Sequence, residues 1–141
     1  MSYATRQDMI DRFGEEELIL LTDRDGSAGM IVDAVLDLAL ADGAATINGY
    51  IGGRYKLPLA TVPEVLVRLN CDIARYQLYD ERAPEQLQKR HEADIDFLTA
   101  LGSGKLSLGV SDAGETEPSN NVATIESAGS VFSRKNSKGF M

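Results

Sequence analysis

Cysteine occurs once in this 141-residue chain, and so does histidine. A lone Cys71 excludes an intramolecular disulfide and gives no cysteine cluster for a metal. No serine or cysteine stands near His91 in a nucleophile motif, and the histidine lies on an apolar helical stripe, so it reads as a packed or interface side chain. No apolar run approaches the 18 or so residues that span a bilayer, and the opening MSYATRQDM lacks a signal-peptide pattern, which points to a cytoplasmic origin. Basic residues are the scarce charge: 14 Lys and Arg face 22 Asp and Glu, for a net charge of −8. Residues 1–42 alone hold ten acidic and three basic side chains. That field repels phosphate, which argues against a groove-reading nucleic-acid binder.

The hydrophobic fraction of 43% is ordinary for one globular domain with a modest core. Its placement divides the chain into a helical body over 1–102 and an extended C-terminal arm over 103–141. Thr5-Arg6-Gln7-Asp8 opens a short helix with Met9, Ile10 and Phe13 on its apolar face, and Gly14 ends it. Glu15-Glu16-Glu17 sits on the first turn of a second short helix, where the dipole favours acids. A loop at 22–27 leads to a long helical pattern from about Met30 to Tyr50. Ile31, Val35 and Leu38 mark one stripe of it; Val32, Leu36 and Leu40 mark the next. Gly52-Gly53 stops it. Thr61-Val62-Pro63-Glu64 reads as a capping box for a helix from Pro63 to Tyr79. That helix is apolar on more than one side, as a central helix must be, with Leu69, Ile73 and Tyr76 expected in the core. Pro84 starts a last helix to Leu101, and Gly102-Ser103-Gly104 ends it. The predicted fold is all-α, a small bundle of about five helices around the one near 63–79.

Two apparent site motifs fail on inspection. Asp23 and Asp25 open like a calcium loop, but its sixth and twelfth positions hold Ala28 and Ala34 where Gly and Glu are needed. Gly104-Lys105 lacks both the first glycine and the hydroxyl of a phosphate loop, because Thr99 and Leu106 stand there. The expectation is a chain without catalytic residues, cofactor or metal. More distinctive is the corner with Tyr50, Arg54, Tyr55 and Pro58. Its tyrosines can bury rings while keeping hydroxyls bonded, and Arg54 can pair with an acid or a main-chain carbonyl. Asp72, Arg75 and Tyr76 share the central helix, and a buried polar contact between these two segments is expected.

The arm cannot build its own core, because its few apolar residues are separated by Ser, Gly, Asn and Thr. Ordering the 17 residues from Ile125 onward costs roughly 17 kcal/mol. A neighbouring chain is the natural source of compensation. Phe132 and Phe140 would anchor the arm, with Val131 among the partner-binding residues; Arg134, Lys135 and Lys138 would meet acidic surface, on a partner or on the first third of an adjacent copy.

At these residues the chain resembles a known family. The run Ile47, Tyr50-Ile51, Arg54-Tyr55, Leu57-Pro58-Leu59, Val62-Pro63, Leu66 and Asp72-Ile73-Ala74-Arg75-Tyr76 is similar to the head–tail adaptor (connector) proteins of tailed phages, in particular the small neck protein of Mu-like phages and prophages. The opening Tyr3-Ala4-Thr5, Asp8-Met9 and Arg12-Phe13-Gly14-Glu15 fits that group, as does the ending Val131-Phe132-Ser133-Arg134 with Gly139-Phe140. The resemblance implies a non-enzymatic dodecameric ring beneath the portal, joining capsid to tail around a channel for DNA. Its implied partners are the portal protein, the next neck or tail-completion protein and further copies of itself, with no membrane and no specific nucleic-acid binding. Its implied place is the virion neck, after assembly in the host cytoplasm. An acidic channel wall would let DNA slide without sticking. The alternative is a small acidic regulator, of phage or bacterium, that binds a basic host protein.

Overall fold

The computed structural model describes residues 2–109. The partner-binding residues named above, Val131, Phe132, Arg134, Lys135, Lys138 and Phe140, lie outside the described residues, as does most of the arm. Helix α1 (Arg6–Phe13) opens on the full capping box: the Thr5 hydroxyl accepts the Asp8 N–H, and the Asp8 carboxylate accepts the Thr5 N–H at 2.8 Å. Gly14, at φ 89°, closes it and starts α2 (Glu15–Thr22). The remaining helices are α3 (Asp33–Ile51), α4 (Glu64–Tyr79) and α5 (Glu85–Ser103), with one 3-10 turn at Asp80–Arg82. Among the described residues there is no strand, and the fold is all-α.

Three local expectations are corrected. The helical pattern read from Met30 begins at Asp33, because hydrogen bonds hold the preceding residues as a loop. The Thr22 hydroxyl donates to Leu18 O (2.7 Å) and accepts from the Val32 N–H (2.9 Å). The Asp23 carboxylate accepts the N–H groups of Ala28 and Gly29. Ile31 therefore enters the core from outside the helix, while Met30 and Leu38 stay 62% and 64% exposed. Of the two stripes, the one with Leu36 and Leu40 is the buried face of α3, which continues through Gly43, Ile47 and Ile51. The capping box at Thr61 does not form: Pro63 is the N-cap, and Thr61 is exposed. Tyr76 is half-buried and not a core residue; its ring stacks on His91 with centroids 3.9 Å apart and planes 2° from parallel.

The core forms two clusters, and α3 and α4 supply both. Met9, Leu18, Leu36 and Cys71 belong to one; Ile47, Leu66, Leu69, Ile73 and Leu98 belong to the other. Between them the two long helices meet closely at Gly43. A Cβ there would lie 2.7 Å from the Asn70 side-chain nitrogen and 3.3 Å from the Asn70 carbonyl oxygen. Asn70 is fully buried and bonds through both ends of its amide. Its Nδ2 donates to Leu40 O (3.0 Å), and its Oδ1 accepts the N–H groups of Tyr3 (2.8 Å) and Ala4 (3.0 Å).

Leu69 is 0% exposed and Ile73 1%. Truncation of Leu69 to Ala removes core volume that neighbouring helices cannot refill, and is expected to cost about 2–5 kcal/mol in chemical denaturation. Gly43→Ala sets a helix-propensity gain of about 1 kcal/mol against an overpacking cost of about 1–3 kcal/mol. Because Asn70 is pinned by its hydrogen bonds and its carbonyl belongs to α4, the cost wins. The expected result is a lower denaturation midpoint, and an unchanged or raised one would show that the helices can part at no expense.

Candidate functional site

A cluster of ion pairs gathers on one side of α4. At 3.6 residues per turn, Arg68, Asp72, Arg75 and Tyr79 share the face opposite Asn70 and Ile73, which meet α3. Asp72 is buried there and accepts from Arg68 (2.9 Å) and from Arg90 of α5 (3.2 Å). Arg68 reaches a second buried carboxylate, Asp94 of α5, at 3.2 Å. Arg75 pairs with Glu17 of α2 through two bonds, 2.6 and 3.0 Å, and its guanidinium lies 4.5 Å from the Phe13 ring centroid. Arg12 donates to the exposed Glu64. A cleft of about 330 Å³ opens here, lined by Arg12, Phe13, Glu17, Asp72, Arg75 and Arg90.

The other motif forms a separate contact. Arg54 donates to two main-chain carbonyls at the exit of α5, Leu101 O at 3.0 Å and Leu106 O. Buried Tyr55 accepts the Leu108 N–H on its hydroxyl at 3.1 Å. Tyr50 is half-buried, and its main chain lies so close to Gly102 that a Cβ there has no room. Pro58 is exposed, follows a cis peptide bond, and lines a groove with Tyr3, Asn48, Leu57 and Val62. The expected single contact between this corner and Asp72, Arg75 and Tyr76 is thus corrected to two. The corner joins the ends of α3 and α5; the α4 residues join α4 to α2 and α5. Asp72 and Arg75, though close in sequence, take different partners.

Sequence reasoning missed Asn70, Glu17, Arg68, Arg90 and Asp94. The signal for Arg68 and Asp72 was present in their i, i+4 spacing. For Asn70 and Asp94 the signal was a polar residue amid helical apolar positions; for Glu17 there was none, since its partner is distant in sequence. The chemistry of the cluster is electrostatic. Burial pushes the Cys71 thiol up to about 12, so it stays protonated. Burial lowers the His91 imidazole below its usual value, favouring the neutral ring. Among the described residues no group of three or more His, Cys, Asp or Glu side chains could hold a metal ion, and no helix is long and apolar enough to cross a membrane.

Asp94 is the group whose titration should be visible. Burial, then the neighbouring Asp72 charge, raises its carboxyl from 3.8 to about 6, and its Oδ2 has no hydrogen-bond partner among the described residues. The folded state therefore binds this proton more tightly than the unfolded one. The resulting stabilisation is complete below the unfolded pKa and is lost as pH rises through the folded value, an effect of up to about 3 kcal/mol. His91 has the opposite sign, its shift favouring the fold as pH rises. Asp94→Asn keeps the shape but cannot ionise. In denaturation series from acid to neutral pH, the difference between wild type and this variant cancels His91 and should move in the variant's favour as pH rises. A constant difference would mean that Asp94 does not hold the proton.

Comparison with known proteins assigns the whole arrangement to one lineage. The family model described as Bacteriophage Mu, Gp36 matches residues 3–127. The chain is 45% identical to the Mu-like prophage FluMu protein gp36 of Haemophilus influenzae over 142 aligned positions, covering 99% of this chain and 98% of that one. It is 34% identical to gene product J of Escherichia phage Mu, with 100% of both chains covered. With the match running through both core clusters and the charged face of α4, this chain belongs to the Bacteriophage Mu Gp36 family.

Proposed function

We propose that this chain is a structural, non-enzymatic head–tail adaptor of a tailed phage, forming a ring on the portal that joins capsid to tail around the DNA channel. The observation that carries the reading is membership of a Mu phage family across nearly the whole chain, on a body whose buried and half-buried charges, Asp72, Asp94, Arg68, Arg75 and Glu17, brace one helix against another. His91 is held in a stack and Cys71 is buried. The portal protein, the next neck or tail-completion protein and further copies of the chain are the proposed partners, with the virion neck as the site of action. DNA only passes through, which suits an acidic wall that offers phosphate no grip. A net charge of −8 also favours the second reading, a regulator that binds a basic host protein. Co-sedimentation with purified portal rings supports the adaptor; a stable monomeric complex with a nuclease or polymerase supports the regulator.

The basic, aromatic end of the arm supplies the test in the virus. Deleting residues 129–141 removes Phe132, Phe140 and the three cations between them. The body should keep its helicity, while full heads and free tails accumulate unjoined. Tailed, infectious particles at normal titre from that truncation would show that this segment is not the joint.

A further inference from the structure

The outer face of α3 is the least explained surface of the body. Ala34, Leu38, Ala41, Ala45 and Gly49 are all exposed and recur at spacings of three and four, opposite the positions that meet α4. Leu38 stands 64% exposed in the middle of that strip. Asp37 and Asp42 flank it, exposed and without an ion pair among the described residues. A strip of small side chains permits close approach of another surface, and its two free carboxylates ask that surface for cations.

The body carries such a surface on its far side. The cleft lined by Arg12, Phe13, Glu17, Asp72, Arg75 and Arg90 is reached from the face of α4 that points away from α3. Three guanidiniums meet two carboxylates there. Among the described residues Arg12 and Arg90 each spend a single N–H donor on a carboxylate, Glu64 and Asp72, and their side chains are 31% and 50% exposed. A guanidinium has five donors, so most of these remain available to an incoming acid.

From this juxtaposition we infer that the α3 outer face of one copy, with Leu38, Asp37 and Asp42, seats against the arginine cleft of a second copy. The inference rests on the adaptor reading only in needing the chain to meet its own kind. Its support is charge complementarity and placement. The two surfaces lie on opposite sides of the α3–α4 pair, so the contact is heterologous, and repetition of a head-to-tail contact builds a ring when its rotation closes. A face-to-face dimer through α3 would instead set four carboxylates against one another, which disfavours that arrangement.

The experiment is a charge exchange on the full chain, followed by sedimentation velocity at low salt. One variant carries Asp37→Lys and Asp42→Lys; the other carries Arg12→Glu, with Arg90→Gln as a milder cleft variant. Far-UV circular dichroism checks that each folds. Each alone should self-associate about tenfold more weakly than wild type. Mixing the face variant with Arg12→Glu should restore association, because each then offers a surface complementary to the other's. A wild type that stays monomeric up to about 1 mM, variants that associate like wild type, or a mixture that stays apart would each overturn the proposal. So would a DNA oligonucleotide bound by wild type and lost in Arg12→Glu, since the cleft would then be a phosphate site. Co-sedimentation with portal rings is read independently, so failure of this contact is distinguishable from failure of the adaptor reading.

Discussion

The close meeting of α3 and α4 at Gly43 is the constraint on which the rest of the body depends. With no Cβ at that position, Asn70 can reach across and donate to the Leu40 carbonyl, and the same amide oxygen then captures the N–H groups of Tyr3 and Ala4. One side chain thereby fixes helix separation, helix register and the path of the N-terminus. An amide buried this deeply is tolerated only because its bonds are made; leaving one unmade would cost about 1–3 kcal/mol. Tyr3 also bonds Asn48 through its hydroxyl, so the N-terminal segment, held to α4 through Asn70, is tied to α3 as well. Thr5 caps α1 at once afterwards, and the capping geometry is inherited from where Asn70 has placed Ala4.

Close approach on one side of α4 leaves its other side to be braced by charge. The helix buries Leu66, Leu69 and Ile73 in one cluster and Cys71 and Ala74 in another, and yet it also buries Asp72. A buried carboxylate without partners would be strongly unfavourable, and here Arg68 and Arg90 approach from two helices. The arrangement specifies geometry more than it adds stability, since ion pairs of this kind offset their own desolvation only in part. Arg75 does the same toward α2, with Phe13 beneath its guanidinium. The two short N-terminal helices, too short to be stable alone, are held by that pair and by Met9 and Leu18 in the core.

Much of this was legible in the sequence where the determinant is local. Thr5 with Asp8, Gly14 and Pro84 mark helix ends through rules that operate within four residues, and the structure has those ends where they were read; α5 passes Leu101, Gly102 and Ser103 and stops at Gly104, the left-handed one of the two glycines. Leu69 and Ile73 follow from a periodicity that tertiary contacts only reinforce. Thr61 shows the limit of the same logic: the cap signature is present, but the chain reaches α4 with Pro63 in the capping position. The start of α3 was misread because Thr22 and Asp23 bond residues up to ten positions ahead, a range no periodicity reports. The partners of Asp72 and Arg75 were misassigned for a similar reason. Sequence proximity suggested a shared contact, whereas helix rotation sends one toward α5 and the other toward α2.

The proposed contact between copies of this acidic chain faces a specific electrostatic problem. Each chain carries a net −8, and like-charged bodies repel. At physiological salt that repulsion is screened beyond about 8 Å, so the net charge governs solubility and approach but not a contact already formed. What decides a formed contact is which few charges lie within that distance. In this body the unpaired acids Asp37 and Asp42 and the arginines of the cleft stand on opposite sides, separated by the α3–α4 core. Two copies turned the same way therefore present unlike charges to each other, and two copies turned face to face present like ones. In that proposed contact, the internal bracing that keeps Arg68 and Arg75 on the outer side of α4 would also set the polarity with which one copy meets the next. In the self-contact proposed above, the direction of assembly would trace to the same choice as the fold, the side of α4 from which Asn70 faces Gly43.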